Sequence, residues 1–206
     1  MTNVKLNFIN KSNDTNNSEI VIFQKNTTPD FDAFAVAWTV IKNCGQGDNH
    51  PFIYPSETYV SASDSYGNFT PHLLAEPGQS FAMKLTPSGD ELEKNGSASS
   101  PKAIEIANDL SKGAINALVF KDGKLLASKT GIAPGQKAVF EFKPALYIGV
   151  TSQIEEGQVI DSAVMSEINT EISLLGISSA DIVMTGGGPG PNSEPFQFTL
   201  QNVQMA

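Results

Sequence analysis

Val4-Lys5-Leu6-Asn7-Phe8 alternates apolar and polar side chains, and Ile20-Val21-Ile22-Phe23 is an unbroken apolar run rich in β-branched residues. Residues 10–18 between them are polar and contain no aliphatic side chain. Period-two alternation places one face of a strand on a core, whereas a stretch of such polar composition stays in solvent. The opening of the chain therefore predicts two strands joined by an exposed loop.

The same pattern continues along the rest of the chain. Asp122-Gly123 separates two apolar runs, and this dipeptide is typical of the two-residue turn of a β-hairpin. Segments that predict further strands lie at residues 145–150, 158–164, 167–175, 180–185 and 195–200. In 167–175 the spacing of Ile168, Ile172 and Leu175 also fits a helix, but the surrounding Thr, Ser and Gly favour a strand. Many short strands separated by turns predict an all-β fold, a β-sandwich of immunoglobulin-like or jelly-roll-like type with Greek-key connections.

One segment departs from the strand pattern. Residues 87–100 are polar and rich in Gly and Ser, which is typical of a flexible insertion. Ser100-Pro101 offers a helix N-cap and a first-turn proline, and Ile104, Ala107 and Leu110 share one helical face. We therefore expect a single β-sandwich domain over residues 1–206, with one short helix in a flexible or helical insertion around 87–113.

Glycine marks three turns in the sequence. Pro77-Gly78-Gln79 and Pro134-Gly135-Gln136 each precede an alternating strand, and Pro-Gly is typical of a type II turn. The match indicates either an internal duplication or, as the favoured interpretation, a recurrent way of starting a strand. Gly186-Gly187-Gly188-Pro189-Gly190 lacks the Lys-Ser/Thr pair and the following helix of a phosphate-binding loop, so it predicts a special turn.

The composition excludes several classes of partner. The net charge is −9, from 22 acidic and 13 basic residues, and no basic block is present, so we expect no nucleic-acid partner. No segment approaches the roughly 20 apolar residues of a membrane helix, so we expect no integral membrane association. Cys44 is the single cysteine, which excludes a disulfide within the chain. Without a secretory signal the default prediction is a cytoplasmic location, with export by a non-classical route left open.

Aromatic residues near predicted loops are the best candidates for a binding surface. They are Tyr54, Tyr59, Tyr66 and Phe69. A rigid ring with an apolar body and a polar tip contacts a sugar or a protein well. Trp38 lies inside an apolar run and is instead predicted to belong to the core.

The two histidines allow one alternative site. His50 and His72 exclude any site that needs three imidazoles. Two imidazoles and one carboxylate are sufficient for an Fe(II) oxygenase, with Glu57 as the preferred third ligand. Cys44 with His50 suggests a thiolate–imidazole pair, but no orienting residue or oxyanion hole is specified. We therefore expect no catalytic residue and no cofactor, with iron as the alternative.

Several stretches resemble an uncharacterised bacterial family whose members are often labelled as an aromatic ring-opening dioxygenase small subunit. The stretches are residues 21–26, 35–38, 63–68, 174–177 and 184–188. The resemblance implies a compact bacterial domain. The small subunit of such dioxygenases is largely helical and does not hold the iron. Because this chain is rich in strands, the resemblance does not imply dioxygenase activity.

The favoured functional hypothesis is a non-enzymatic β-sandwich that acts by binding or self-association, with a protein or glycan partner. Exposed edge strands present unpaired backbone groups, which makes strand addition a route to partners or to ordered assemblies. The alternatives are the Fe(II)-dependent oxygenase and a membrane-active or toxin-like sandwich.

Overall fold

The computed structural model describes residues 3–28, 33–168 and 170–206, and this part of the chain is an all-β, sandwich-like fold with one short α-helix. The all-β prediction is confirmed. In chain order the elements are β1 Val4–Asn10, β2 Glu19–Phe23, β3 Ala33–Ala35, β4 Thr39–Ile41, β5 Asn49–Tyr54, β6 Thr58–Asp64, β7 Leu73–Ala75, β8 Gln79–Thr86, β9 Gly89–Ser97, β10 Ile104–Asn108, β11 Ile115–Lys121, β12 Lys124–Ile132, β13 Lys137–Phe140, β14 Ala145–Thr151, α1 Ser162–Glu167, β15 Thr170–Ser173, β16 Ile177–Gly187 and β17 Glu194–Met205.

The chain divides into two compact units whose segments interleave along the sequence. Unit 1 comprises Met1–Gln24, Ala37–Ser56 and Pro144–Ala206, and unit 2 comprises Lys25–Val36 and Glu57–Lys143. Compact units of this kind also occur inside a single domain, so the one-domain interpretation of residues 1–206 stays a prediction.

Unit 1 contains two four-stranded sheets. The first has the order β17-β16-β1-β5 and the second has the order β15-β14-β2-β4. The two strands that open the chain therefore belong to different sheets. β1 pairs in parallel with β16, from Lys5↔Ser179 to Asn10↔Met184, and antiparallel with β5. The sequence predicts the strands themselves, but a parallel pair between the two ends of the chain has no local signal.

Trp38 lies in the core of unit 1, as its apolar surroundings in the sequence predict. The ring is 1% exposed and meets the rings of Tyr54 and Phe52 edge-on at centroid distances of 5.9 and 6.3 Å. The Tyr54 hydroxyl donates to Gln24 Oε1 at 3.1 Å, and Gln24 Nε2 donates to the Ala145 carbonyl at 2.8 Å. Tyr54 belongs to the first sheet and Ala145 to the second, so these contacts join the inner faces of the two sheets.

Unit 2 also contains two sheets. Their orders are β13-β10-β8-β9 and β3-β12-β11-β6-β7. The predicted hairpin is confirmed, because Lys121 pairs with Lys124 across a turn in which Asp122 and Gly123 have φ of 53° and 69°. Positive φ at both central residues defines the type I′ turn that Asp-Gly favours.

The predicted helix in residues 101–113 is wrong. β9 and β10 occupy the insertion, and β10 pairs with β8 and β13. Ile104 and Ile106 are buried, and Glu105 between them is buried with its carboxylate 2.9 Å from Lys137 Nζ. Ile104-Glu105-Ile106 alternates as a strand does, but Ile104, Ala107 and Leu110 also fit one helical face, and the pairing with β8 and β13 decides in favour of the strand.

The helix that the structure contains lies where the sequence analysis predicts the strand at 158–164. α1 begins after Asp161, whose side chain accepts from the Val164 N–H at 2.9 Å. An aspartate at this position satisfies one of the free donors of a helix start. None of the residues of α1 is buried, so the helix shows no apolar periodicity in the sequence. No helix among the described residues is long and apolar enough to cross a membrane.

The two Pro-Gly-Gln segments form the same turn. The Gln79 N–H donates to the Glu76 carbonyl at 3.2 Å, and the Gln136 N–H donates to the Ala133 carbonyl at 3.0 Å. In each turn the glutamine Oε1 accepts the N–H of the first residue. Gln158 closes a third turn in the same way on Glu155, without proline, and α1 follows it rather than a strand. A recurrent local turn therefore accounts for the match better than a duplication.

Candidate functional site

The four predicted binding aromatics do not form one surface. Tyr54 is 7% exposed in the core of unit 1, where burial raises the pKa of its hydroxyl to about 12. Its prediction as a surface ring overlooks Trp38 and Gln24, which cover it from the opposite sheet. Tyr59 is half-buried on β6 in unit 2, and its hydroxyl donates to Glu57 Oε2 at 2.9 Å.

Tyr66 and Phe69 lie on the exposed turn between β6 and β7. Their exposed fractions are 89% and 68%. One Asp64 carboxylate oxygen accepts the N–H groups of Tyr66 and Asn68 at 2.8 and 2.9 Å, and the other accepts Asn68 Nδ2 at 2.7 Å. These hydrogen bonds, first that of the Asn68 side chain, hold the pKa of Asp64 below its ordinary value. The turn is therefore fixed, and it presents two rings to solvent.

The structure gives no support to the iron alternative. Across residues 3–28, 33–168 and 170–206, no group of three or more His, Cys, Asp or Glu side chains is arranged to hold a metal ion. His50 is exposed on β5, and the His72 ring stacks on Phe120 at a centroid distance of 4.1 Å. Glu57 accepts the hydrogen bond of Tyr59. Each of the three predicted ligands has an ordinary surface environment.

Cys44 and His50 line one shallow hollow in unit 1, with a volume of about 300 Å³. Burial, together with the nearby Asp48 carboxylate, raises the pKa of the Cys44 thiol. The same carboxylate accepts the Gly45 N–H at 3.0 Å. A nucleophilic cysteine needs a lowered pKa, so this hollow lacks the electrostatics of a thiolate site.

Lys121 is the buried cation of unit 2. Its side chain points into the unit and donates to the Glu57 carbonyl at 3.3 Å. Burial lowers the pKa of its ammonium to about 8. A lysine with a lowered pKa is also found in active sites, and here its burial has a consequence for stability.

We expect Lys121 to make folding stability depend on alkaline pH. The folded-state pKa of about 8 lies below the unfolded value, so the folded state binds fewer protons between the two pH values, and the free energy of unfolding rises as pH increases through that window. The rise is about 2–3 kcal/mol. Urea unfolding at pH 7 and pH 10 of the wild type and Lys121→Met measures it. The rise should disappear in Lys121→Met and persist in Lys102→Met, an exposed control; equal pH dependence in all three proteins would contradict it.

A cavity of about 810 Å³ in unit 1 has no signal in the sequence. It is lined by residues 16–19, 148–153, 164, 167, 168, 170, 196 and 198. These residues come from the β1–β2 loop and the start of β2, from β14 and the loop after it, from α1 and the residue that follows it, and from strands β15 and β17. No single segment carries a recognisable motif, because the cavity is assembled from distant parts of the chain.

The β1–β2 loop forms one rim of the cavity, and Asp14 holds this loop in place. Its two carboxylate oxygens accept the N–H groups of Asn16 and Ser18 at 2.9 and 2.7 Å. Burial opposes ionisation of Asp14, but these hydrogen bonds outweigh it and hold the pKa of the carboxyl below its ordinary value. The Asn17 amide donates to Asn43 Oδ1 at 2.8 Å. The polar loop is therefore held in one conformation at the cavity.

α1 and Ile168 form a second wall of the cavity. Gly149 on β14 leaves space for the Ile168 side chain. A Cβ on Gly149 would lie 2.8 Å from the Ile168 side chain, which is closer than real contacts allow. The absence of a side chain on β14 thus lets the end of α1 pack directly on the strand. Val164 and Glu167 of α1 and Ile168 after it line the cavity.

Phe196 and Phe198 form the aromatic part of the lining. Gly186 and Gly187 allow β17 to pass close by, since a Cβ on Gly187 would lie 2.7 Å from the Phe196 ring. The glycine-rich segment also accepts the Asn13 N–H through the Gly186 carbonyl, at 2.8 Å. The prediction of a special turn at 186–190 is confirmed, because these glycines adopt positive φ around the end of β16.

The electrostatics of the cavity are acidic. Among the described residues of the lining, Glu19 and Glu167 carry carboxylates, and none is Lys or Arg. Lys42 lies 3.6 Å from Glu19 Oε1 and 2.7 Å from Glu155 Oε1. Nine of the sixteen lining residues carry amides, hydroxyls or carboxylates, and the others are four aliphatic residues, one glycine and two phenylalanines.

Comparison of the chain with family models, with curated proteins and with solved structures finds no match. The resemblance to a bacterial family stays a prediction, and the cavity of unit 1 has to be interpreted from its own chemistry.

Proposed function

We propose that the protein is a non-enzymatic binding protein and that the cavity in unit 1 holds part of a neutral glycan. The lining of the cavity carries the proposal, because polar side chains from the β1–β2 loop, the loop after β14 and α1 surround a space that two phenylalanine rings also line. Its volume of about 810 Å³ falls within the roughly 300–1,000 Å³ of pockets that hold small ligands.

The lining groups match the chemistry of a sugar. Each sugar hydroxyl both donates and accepts, and amides such as those of Asn16 and Gln153 do the same from the protein side. The Glu167 carboxylate is an acceptor only, and such charge-assisted hydrogen bonds are shorter and stronger than neutral ones. The Phe196 ring offers a flat apolar surface on which the apolar face of a sugar ring can pack.

The charge of the lining selects against anionic ligands. Lys42 offsets part of the charge of Glu19, but the Glu167 carboxylate repels phosphates and sulfates, no described lining side chain is Lys or Arg, and the net charge of −9 adds to this repulsion. A neutral oligosaccharide is therefore favoured over a nucleotide or an acidic polysaccharide.

The proposal is tested by screening the labelled protein on an array of neutral and charged glycans, followed by calorimetric titration of the best neutral ligand. We expect Gln153→Ala to weaken binding by about 2- to 10-fold, the value of one neutral hydrogen bond. Glu167→Gln should weaken it by about 10- to 100-fold, because the lost hydrogen bond is charge-assisted. Both residues are exposed, so the fold is retained in either variant.

Asn49→Ala is the matched control, because Asn49 is an exposed amide on β5, outside this cavity. Its affinity should equal that of the wild type. Binding that fails in Tyr66→Ala and survives in the cavity variants would overturn the assignment to the cavity and favour the turn in unit 2. Glycoside hydrolases also use a pair of carboxylates for catalysis. Release of shorter glycans, detected by mass spectrometry, would therefore overturn the proposal that the protein is not an enzyme.

A further inference from the structure

We propose that β17 pairs antiparallel with β17 of a second copy of this chain, joining two sheets into one. β17 is the last strand in the order β17-β16-β1-β5, and in the part of the chain that the structure describes no strand pairs with its other side. It runs from Glu194 to Met205, twelve residues, and is the longest strand described. Its outward backbone groups have no ladder partner within the sheet.

The other edge strands carry features that block pairing along their length, whereas in β17 the charged residue and the proline, Glu194 and Pro195, are its first two residues and leave the rest of the strand without either. Charged side chains protect β9, which contains Asp90, Glu91, Glu93 and Lys94. Proline interrupts β5 at Pro51. The remaining edges are short, with three or four residues each: β3, β4, β7, β13 and β15. Short, charged or proline-containing edges are the usual protection of natural sheets against edge-to-edge association.

The sequence of β17 suits strand addition. Residues 195–206 contain no charged side chain, although the chain as a whole carries a net charge of −9. Gln197, Thr199 and Gln201 are exposed, whereas Phe198 is buried and Phe196 and Leu200 are partly buried. A second strand therefore meets uncharged polar side chains on one face and apolar ones on the other. Two acidic copies therefore meet at this edge without bringing charged side chains of residues 195–206 together.

The geometry limits the pairing to one segment and one symmetry. The pairing of β16 with β17 shifts register between Ser179↔Gln204 and Asp181↔Gln201, and Asn202 has φ of 50°. Another shift lies between Thr185↔Gln197 and Gly187↔Glu194, so regular pairing is available over residues 197–201. In an antiparallel ladder, alternate residues direct both backbone groups away from the first partner. Two such segments pair about a two-fold axis, which closes the assembly at two copies and gives an eight-stranded sheet.

The first test measures the oligomeric state by light scattering and sedimentation equilibrium over a concentration series. We expect the wild type to dimerise. Gln197→Lys with Thr199→Lys should raise the dimer dissociation constant by about tenfold or more, because like charges then face each other across the strands. The control is Asn49→Lys with Ile53→Lys, which adds the same charge to exposed positions on the opposite edge of the same sheet and should leave the dimer intact. A wild type that stays monomeric at its highest soluble concentration would overturn the proposal.

The second test locates the contact independently of dimer strength. In a Cys44→Ser background, cysteine is introduced singly at Gln197, Thr199 and Gln201, and diamide oxidises neighbouring thiols to a disulfide. A disulfide requires Cα atoms about 4.4–6.8 Å apart, so we expect one position near the two-fold axis to cross-link strongly and Ile53→Cys not to cross-link. Equal cross-linking at Ile53 and at the β17 positions would indicate a different surface and overturn the proposal.

This inference does not rest on the glycan proposal. The substituted side chains of β17 are exposed, and Gln197, Thr199 and Gln201 are absent from the cavity lining. A protein that dimerises but binds no glycan would sustain the strand pairing alone, and a monomer that binds a neutral glycan would sustain the cavity alone.

Discussion

Replacing Trp38 with alanine should lower the free energy of unfolding by about 3–5 kcal/mol, the range for truncating a buried large aromatic residue. The side chain is 1% exposed and meets Tyr54 and Phe52 from the opposite sheet of unit 1, so its loss removes contacts that join the two sheets. The cavity left behind is only partly filled by its neighbours. Urea unfolding followed by far-ultraviolet circular dichroism measures the effect, since Trp38 is the only tryptophan and the variant has no indole fluorescence.

Tyr66→Ala is the control for this truncation. It removes an aromatic ring that is 89% exposed, so the free energy of unfolding should stay within about 0.5 kcal/mol of the wild type. A loss of similar size in Trp38→Ala and Tyr66→Ala would contradict the assignment of Trp38 to the core.

Gly186→Ala should lower the free energy of unfolding by about 2–5 kcal/mol, from backbone strain and from overpacking together. Gly186 has φ of +89°, and a Cβ there would clash with the Pro195 carbonyl oxygen. The contact is with backbone, so relief requires β17 to move away from β16. Phe196 would move with it, and the variant should also lose glycan affinity in the titration described above.

Gly190→Ala separates the two causes of this effect. Gly190 also has a positive φ, of +64°, but a Cβ there meets nothing within 4 Å. It should therefore show only the conformational part of the cost, about 1–2 kcal/mol. Equal destabilisation by the two substitutions would show that the close approach of Pro195 contributes nothing.

The candidate site shows how far the sequence alone could lead. Asp14 and the polar residues after it are recognisable as a loop, and the glycines at 186–190 as a special turn. Nothing in either segment indicates that the loop residues line one cavity with Phe196 and α1, or that Gly187 lies against Phe196. The sequence analysis instead favours aromatic residues near loops, and for Tyr54 this criterion fails because the ring faces Trp38 inside unit 1. Proximity to a loop in sequence does not determine which way a ring points.

Local patterns determined the strands and the tight turns of this protein. Alternation identified β1, the Asp122-Gly123 pair identified the β11–β12 hairpin, and the Pro-Gly-Gln segments identified two turns, because each depends on a few adjacent residues. Only the tertiary structure decided that β1 and β2 enter different sheets, that β1 pairs in parallel with β16, and that residues around 105 form a strand. Alternation of apolar and polar residues indicates that one face of a strand is buried. Which strand pairs with it depends on contacts between residues far apart in the chain, and these have no local signal in the sequence.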